Sequence, residues 1–462
     1  MITEKITLTS TEGWLSHFRK TLMLAWPVCL SNVGNVMVGV VDLAMVGGIQ
    51  ESMTGYSATT AQAAVSLANG FYFLVLVFGM GVSFGVTPFV AEADSAGNLS
   101  EKKHLLSHAI IVNVIVNSLL FLFLVLASPV LHLLNQPADV VTLAIPFLNV
   151  MILGMIPLAF FSALKQFAEG LSFTRFAMYV TVLSNLLNIL LNYILIYGKW
   201  GFPSMGVQGS CWASFVTRVI MALMMFLYVY YNKEFKVYKE SFLFKAISFS
   251  RMKKIFKVGA ASGLQWLFEV SAFAFALVMI GWIGKKEQAA HQIALQLASV
   301  TYIIASGISA AGSVRVGNQL GSKSRINLRK AAFSAFGLAV MFQTFFAMMF
   351  VLLRFLLPTI FNHESDVQMM VSSLLLIAAL FQISDGIQVV GLGVLRGMQD
   401  ITIPTWITFI TYWLIGLPIC YLFAFVFKLG IQGIWFGLTL ALTIAAILLY
   451  LRFNYISKNL NL

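Results

Sequence analysis

Three carboxylates, Asp42, Glu269 and Asp385, stand inside stretches apolar enough to cross a bilayer. A charged side chain at membrane depth costs roughly 2.5–3.5 kcal/mol on insertion scales, so such groups are kept where they line a cavity or an ion pathway. The other fourteen of the seventeen acidic residues fall in tails, loops or helix ends. The three point to transport driven by cations. Asn32 and Asn35 precede Asp42 on its own stretch, and Asn188 and Asn192, four apart, share one face of another. A carboxylate with amide oxygens can hold a hard cation such as Na⁺, or the carboxyl can carry a proton. The structural alternative is a cap beside Gly47 and Gly48.

Glu269 lies near mid-membrane on its stretch, among Trp266, Phe268, Phe273 and Phe275. A carboxyl in such surroundings suits proton exchange or competition with an organic cation. The alternative is a packing role, satisfied by Gln265. Asp385 has Gln382 three residues before it and Ser384 beside it, while Gly386, Gly391 and Gly393 allow close helix approach. Here the alternative is polar glue between helices. Forty Phe and twenty-one Met residues mostly face lipid or pack helices, and a minority can line an adaptable cavity. Trp266, Phe268, Phe273, Gln265, Phe381 and Gln382 are the candidates for such a lining.

The elements that must position these groups follow from composition. With 60% hydrophobic and 10% charged residues, the 462-residue chain is an all-α membrane protein. Twelve spans are expected near residues 20–47, 58–90, 104–128, 138–164, 175–197, 206–230, 252–283, 288–313, 329–356, 367–394, 402–427 and 430–451. The first twenty residues carry no short apolar core followed by a small-residue cleavage site, so the first span is expected to direct insertion. Twenty-three Lys and Arg residues fall on the side of the termini and five on the other, which places both termini in the cytoplasm. The net charge of +12 is thus a topology signal, and no nucleic-acid partner is expected.

The one long charged connection, 231–251, divides the chain into an N-lobe of residues 1–230 and a C-lobe of residues 252–462, six spans each. The halves repeat. Gly206-Val-Gln-Gly209 matches Gly430-Ile-Gln-Gly433, Val90-Ala91 matches Val316-Gly317, and Gly170 matches Gly397. Six spans is an even number, so the repeat is parallel, about an axis along the membrane normal. Two pseudo-symmetric six-helix lobes around a central cavity are expected.

Other features carry less. His104 and His108 have metal-ligand spacing but lie beside Lys102 and Lys103 at the cytoplasmic edge, so no metal site is assigned. Cys29, Cys211 and Cys420 sit in apolar segments as small hydrophobes. Pro27, Pro157, Pro404 and Pro418 are candidate kinks. No phosphate-binding Gly-Lys-Ser/Thr loop is present, and no enzymatic activity or cofactor is expected beyond a coupling ion.

With these residues in hand, the chain resembles the multidrug and toxic compound extrusion (MATE) family, in its NorM-like bacterial branch. The likeness rests on Val41-Asp-Leu-Ala-Met-Val-Gly47, Ala289-Ala-His-Gln-Ile-Ala-Leu295, Val314-Arg-Val-Gly317 and Val389-Val-Gly-Leu-Gly-Val-Leu-Arg-Gly397, in order along nearly all twelve spans. The resemblance implies a monomeric exporter of amphipathic organic cations, antiporting Na⁺ or H⁺ across a bacterial cytoplasmic membrane. Cation binding would favour one lobe arrangement and drug binding the other. It also implies that Glu269 and Asp385 form the C-lobe cation site and that Asp42, Asn188 and Asn192 form the N-lobe polar cluster. The family often has Tyr one turn before the tenth-span Asp, where this chain has Phe381. It often reads Ala-Gln after the second span, where this chain has Ala91-Glu92. A lipid-linked sugar flippase of the same superfamily would need several inward-facing Arg residues, and only Arg218 qualifies. An ion channel would not need the two-lobe repeat.

Overall fold

The computed structural model describes residues 13–49, 55–134, 136–244 and 247–460, which contain helix and no strand. Lys5 and Lys245, two of the terminus-side cations, lie outside the described residues. Among the described residues, twelve helices are long and apolar enough to cross a membrane: α1 Trp14–Val46, α2 Ala58–Ser95, α3 Leu99–Leu133, α4 Ala138–Gly170, α5 Thr174–Tyr197, α6 Val207–Tyr231, α7 Phe249–Ile283, α8 Lys285–Gly321, α9 Arg325–Leu352, α10 Ser365–Gly397, α11 Thr402–Val426 and α12 Gly430–Asn459. Each overlaps one expected span, and most run longer. Hydropathy marks only the part of a helix that sits in hydrocarbon. The 37 residues of α8 measure about 55 Å, well beyond the roughly 30 Å apolar core.

Proline acts differently at each site. α2 consists of Ala58–Phe84 and Thr87–Ser95, and α4 of Ala138–Leu153 and Met155–Gly170. The first pieces end four residues before Pro88 and Pro157, where a proline ring meets the i−4 carbonyl and cannot donate to it. Pro157 is among the kinks expected from sequence, and Pro88 is an additional one. Pro27, by contrast, is carried inside the unbroken α1, and Pro404 sits in the first turn of α11. Pro418 lies between two π-helical stretches of α11, Ile410–Gly416 and Leu422–Val426.

Packing divides the chain into two compact units. Among the described residues, unit 1 holds 13–29, 87–98 and 264–460, and unit 2 holds 30–86 and 99–263. The grouping therefore does not follow the sequence halves: α1 and α7 each contribute one end to each unit. Glycine makes this possible. In unit 2 a Cβ on Gly81 would lie 2.2 Å from Gly263 Cα, and one on Gly85 would lie 2.5 Å from the Gly259 nitrogen. In unit 1 a Cβ on Gly307 would lie 3.0 Å from the Cys29 nitrogen. The terminal piece of α2 packs in unit 1, where Glu92 accepts a hydrogen bond from Gln399 and its backbone carbonyl abuts Gly321.

The repeat is visible in matching backbone. Gly206 (φ +53°) and Gly430 (φ +57°) stand in the left-handed region at the starts of α6 and α12. A Cβ on Gly209 or on Gly433 would in each case lie 2.6 Å from the carbonyl carbon of the preceding helix, at Leu195 or Phe423. The charged connection is not a free tether. Lys233–Leu243 forms a 3₁₀ helix that buries Phe235 and Tyr238 in unit 2. Their rings lie 5.1 Å from Phe173 and 5.2 Å from Phe167.

Candidate cation-coupling sites

In unit 2, the end of α1 presents Asp42 to α5 and α6. Its carboxylate is buried, and each oxygen has a short partner: Asn192 Nδ2 donates to Oδ1 at 2.6 Å, and Ser214 Oγ donates to Oδ2 at 2.6 Å. Asn188 joins indirectly. Its Oδ1 accepts from Asn192 at 3.1 Å, and its Nδ2 donates to Ser214 at 3.3 Å. The three predicted N-lobe residues are thus in one network. Asn32 and Asn35 are half-buried and are not partners of Asp42.

Two members were missed. Ser214 lies on a buried polar stripe of α6 with Ser210 and Thr217, a helical period legible in the sequence on inspection. Arg218, one turn beyond Ser214, acts electrostatically on Asp42. Its guanidinium donates to Tyr72 Oη at 2.9 Å and to the Met151 carbonyl at 3.2 Å, and a Cβ on Gly154 would strike it at 2.8 Å. Asp42 therefore has two hydrogen-bond donors, and Arg218 forms no ion pair with it among the described residues.

In unit 1, α7 supplies Glu269 and α10 supplies Asp385, 8% and 4% exposed. The two carboxylates interact electrostatically, and neither forms an ion pair among the described residues. Gln388 is near enough to influence Glu269 but makes no hydrogen bond of good geometry, and both its amide atoms are buried without partners. Gln382 is likewise fully buried and unpaired. Tyr302 and Tyr412, which the sequence reading did not single out, lie within electrostatic reach of both carboxylates.

The candidate drug-lining residues divide. Gln265 donates to Thr405 Oγ1 at 3.0 Å, and Phe268 packs on Phe409 with ring centroids 5.0 Å apart. Phe273 and Phe381 share an aromatic cluster with Trp435 and Tyr412, at ring distances of 5.6–6.2 Å. Trp266 is half-buried. The His104–His108 pair has no spare ligand atom on His108: Nδ1 donates to the His104 carbonyl, and Nε2 accepts from the Ser248 amide.

Twelve apolar helices with acidic and amide groups buried in their interior define a multi-pass membrane transporter. Residues 27–194 and 261–422 match the family model MatE, and the chain belongs to that family. It is 32% identical over 455 residues to the multidrug resistance protein MdtK of Pectobacterium atrosepticum, covering 97% of each chain. It is 31% identical over 458 residues to the probable multidrug resistance protein NorM of Agrobacterium fabrum, covering 98% of this chain and 97% of that one. The solved eukaryotic MATE transporter AtDTX14 matches with TM-score 0.85 at 22% identity, covering 97% of this chain and 99% of that one. A MATE structure in a bent conformation matches with TM-score 0.87 at 19% identity, covering 97% and 98%. At such identities these two structures establish the fold.

Proposed function

We propose that this transporter is a multidrug exporter that antiports amphipathic organic cations against Na⁺ or H⁺, through coupling at Glu269 and Asp385 and at the Asp42–Asn188–Asn192 cluster. It works as a monomer in a bacterial cytoplasmic membrane, with both termini and the 231–251 segment on the cytoplasmic face. The carrying observation is the Glu269–Asp385 pair: two interacting buried carboxylates, with no ion-pair partner among the described residues. Two like charges in one buried site cannot both stay ionised without relief. A proton or a monovalent cation relieves them. An organic cation reaching the same field does so too, and competition between the two is what antiport requires.

The physics needs no hydrolysis. If cation and drug each distinguish the two access states, binding of one lowers the occupancy of the other. Gln265, Trp266, Phe268, Phe273, Phe381 and Gln382 supply aromatic faces and amides near the carboxylates for the organic ligand. The test is transport of a fluorescent lipophilic cation in proteoliposomes, with Na⁺ and pH gradients imposed separately. Accumulation driven by either gradient supports antiport. Equal movement with no gradient would exclude it.

A further inference from the structure

We propose that the connection between the sequence halves carries a binding surface for anionic phospholipid headgroups, built from a ridge of Lys233, Lys236 and Lys239 and the exposed lysines that open α7. The inference rests on the cytoplasmic placement proposed for this segment. Residues 233–241 repeat every three: Lys233-Glu-Phe235, Lys236-Val-Tyr238, Lys239-Glu-Ser241. They fold as a 3₁₀ helix, which has three residues per turn, so side chains three apart eclipse one another. Phe235, Tyr238 and Ser241 form the buried column. The three lysines form another column, spaced about 6 Å apart along the axis. An α-helix would rotate each such step by about 60° and scatter them. Runs of 3₁₀ helix beyond four residues are uncommon, and this one has eleven. Membrane topology asks only for the number of cations on this side, and not for their period.

Little acidic charge is left to neutralise the ridge. Glu240 is held by Lys103 at 2.8 Å, and Glu101 by Arg251 at 3.0 Å. Lys239 lies over the Tyr230 ring at 4.7 Å. Lys233 and Lys236 are exposed and form no ion pair among the described residues, and the same holds for Lys253, Lys254 and Lys257 of α7. Apolar side chains stand exposed in the same stretch: Leu243 at 60%, Ile247 at 57% and Phe249 at 78%. That mixture fits the headgroup boundary of a bilayer, where apolar groups reach the acyl chains and lysine stems carry their charge to phosphate. A soluble polyanion would meet the lysines and leave the apolar groups in water. Each lysine held at an anionic leaflet is worth about fivefold in affinity.

The test titrates purified full-length protein in an uncharged detergent with phosphatidylglycerol while the thermal midpoint is followed. The parent protein should show a saturable rise that shrinks in 1 M salt, where the screening length is about 3 Å. Lys233→Gln combined with Lys236→Gln should need roughly twentyfold more lipid for half the rise, and Lys233→Arg with Lys236→Arg should match the parent. Lys285→Gln with Lys428→Gln removes equal charge at two other exposed lysines and should leave the titration unchanged. No rise in the parent, no shift in the Lys233/Lys236 glutamine pair, or an equal shift in the Lys285/Lys428 pair overturns the surface. A rise reproduced by inorganic phosphate or by poly-aspartate overturns the lipid assignment in favour of a free anion or an acidic protein. Solubilised protein has no sides, so these failures strike the surface alone, whereas cysteine labelling at Lys236 decides the placement.

Discussion

Replacing Ser214 by Ala separates two ways of holding the Asp42 cluster, charge-assisted bonding and packing. Ser214 Oγ donates to Asp42 at 2.6 Å and accepts from Asn188 at 3.3 Å. Interhelical hydrogen bonds in a bilayer average about 0.6 kcal/mol and reach about 1.7 kcal/mol. The short bond to a carboxylate belongs at the upper end, and the long amide bond at the average. Ser214→Ala should therefore cost about 2 kcal/mol. In an Asp42→Asn background the acceptor is neutral, and the same substitution should cost about 1 kcal/mol or less. The expected coupling is thus about 1 kcal/mol, measured by a double-mutant cycle of unfolding in mixed micelles. Equal losses in the two backgrounds would refute the reasoning and make Ser214 a packing residue.

Three further outcomes are expected. Glu269→Gln and Asp385→Asn should each abolish gradient-driven efflux while keeping near-normal expression, with Glu269 the more sensitive; reconstituted transport of a fluorescent cation measures this. Gly81→Ala should cost about 3 kcal/mol or more, because its Cβ would lie 2.2 Å from the Gly263 backbone. Gly70→Ala, on the same helix with nothing within 4 Å, should leave size-exclusion behaviour unchanged. In a background without native cysteines, Lys199→Cys and Lys236→Cys should label from opposite faces of the membrane, and labelling of both from outside would contradict the charge-bias topology.

The twelve spans were legible because hydrocarbon selects apolar runs regardless of tertiary context. The repeat was legible for a similar reason: Gly206 and Gly430 meet local backbone demands that leave a mark in sequence. Asp42, Asn188 and Asn192 were found together because polar groups in apolar helices are few. Ser214 was within reach by the same logic but is small and common in membrane helices. Tyr412 was hidden in the apolar and aromatic run Ile410-Thr-Tyr-Trp-Leu-Ile-Gly416, whose composition gives no sign of the π-helical turn it adopts. Glu92 had no sequence account, since its partner Gln399 lies far along the chain. The exchange of half-helices between units was illegible too, because hydropathy gives the length of α1 and α7 but not their neighbours.

That exchange has a consequence for the order in which the chain can be made. Unit 2 has all its parts once residue 263 is synthesised, whereas unit 1 needs its earliest and latest segments together. The neighbour of Cys29 on α8, Gly307, emerges roughly 280 residues later, a delay of roughly 15–55 s at ribosomal rates of about 5–20 residues per second. Throughout that interval residues 14–29 include His17 and Thr21, side chains that end fully buried in unit 1. The leading half-helix is thus inserted long before the surface that receives it exists. Assembly runs from the middle of the chain outward, and a ribosome that stalls before α8 releases a protein with one finished unit and an orphaned N-terminal half-helix.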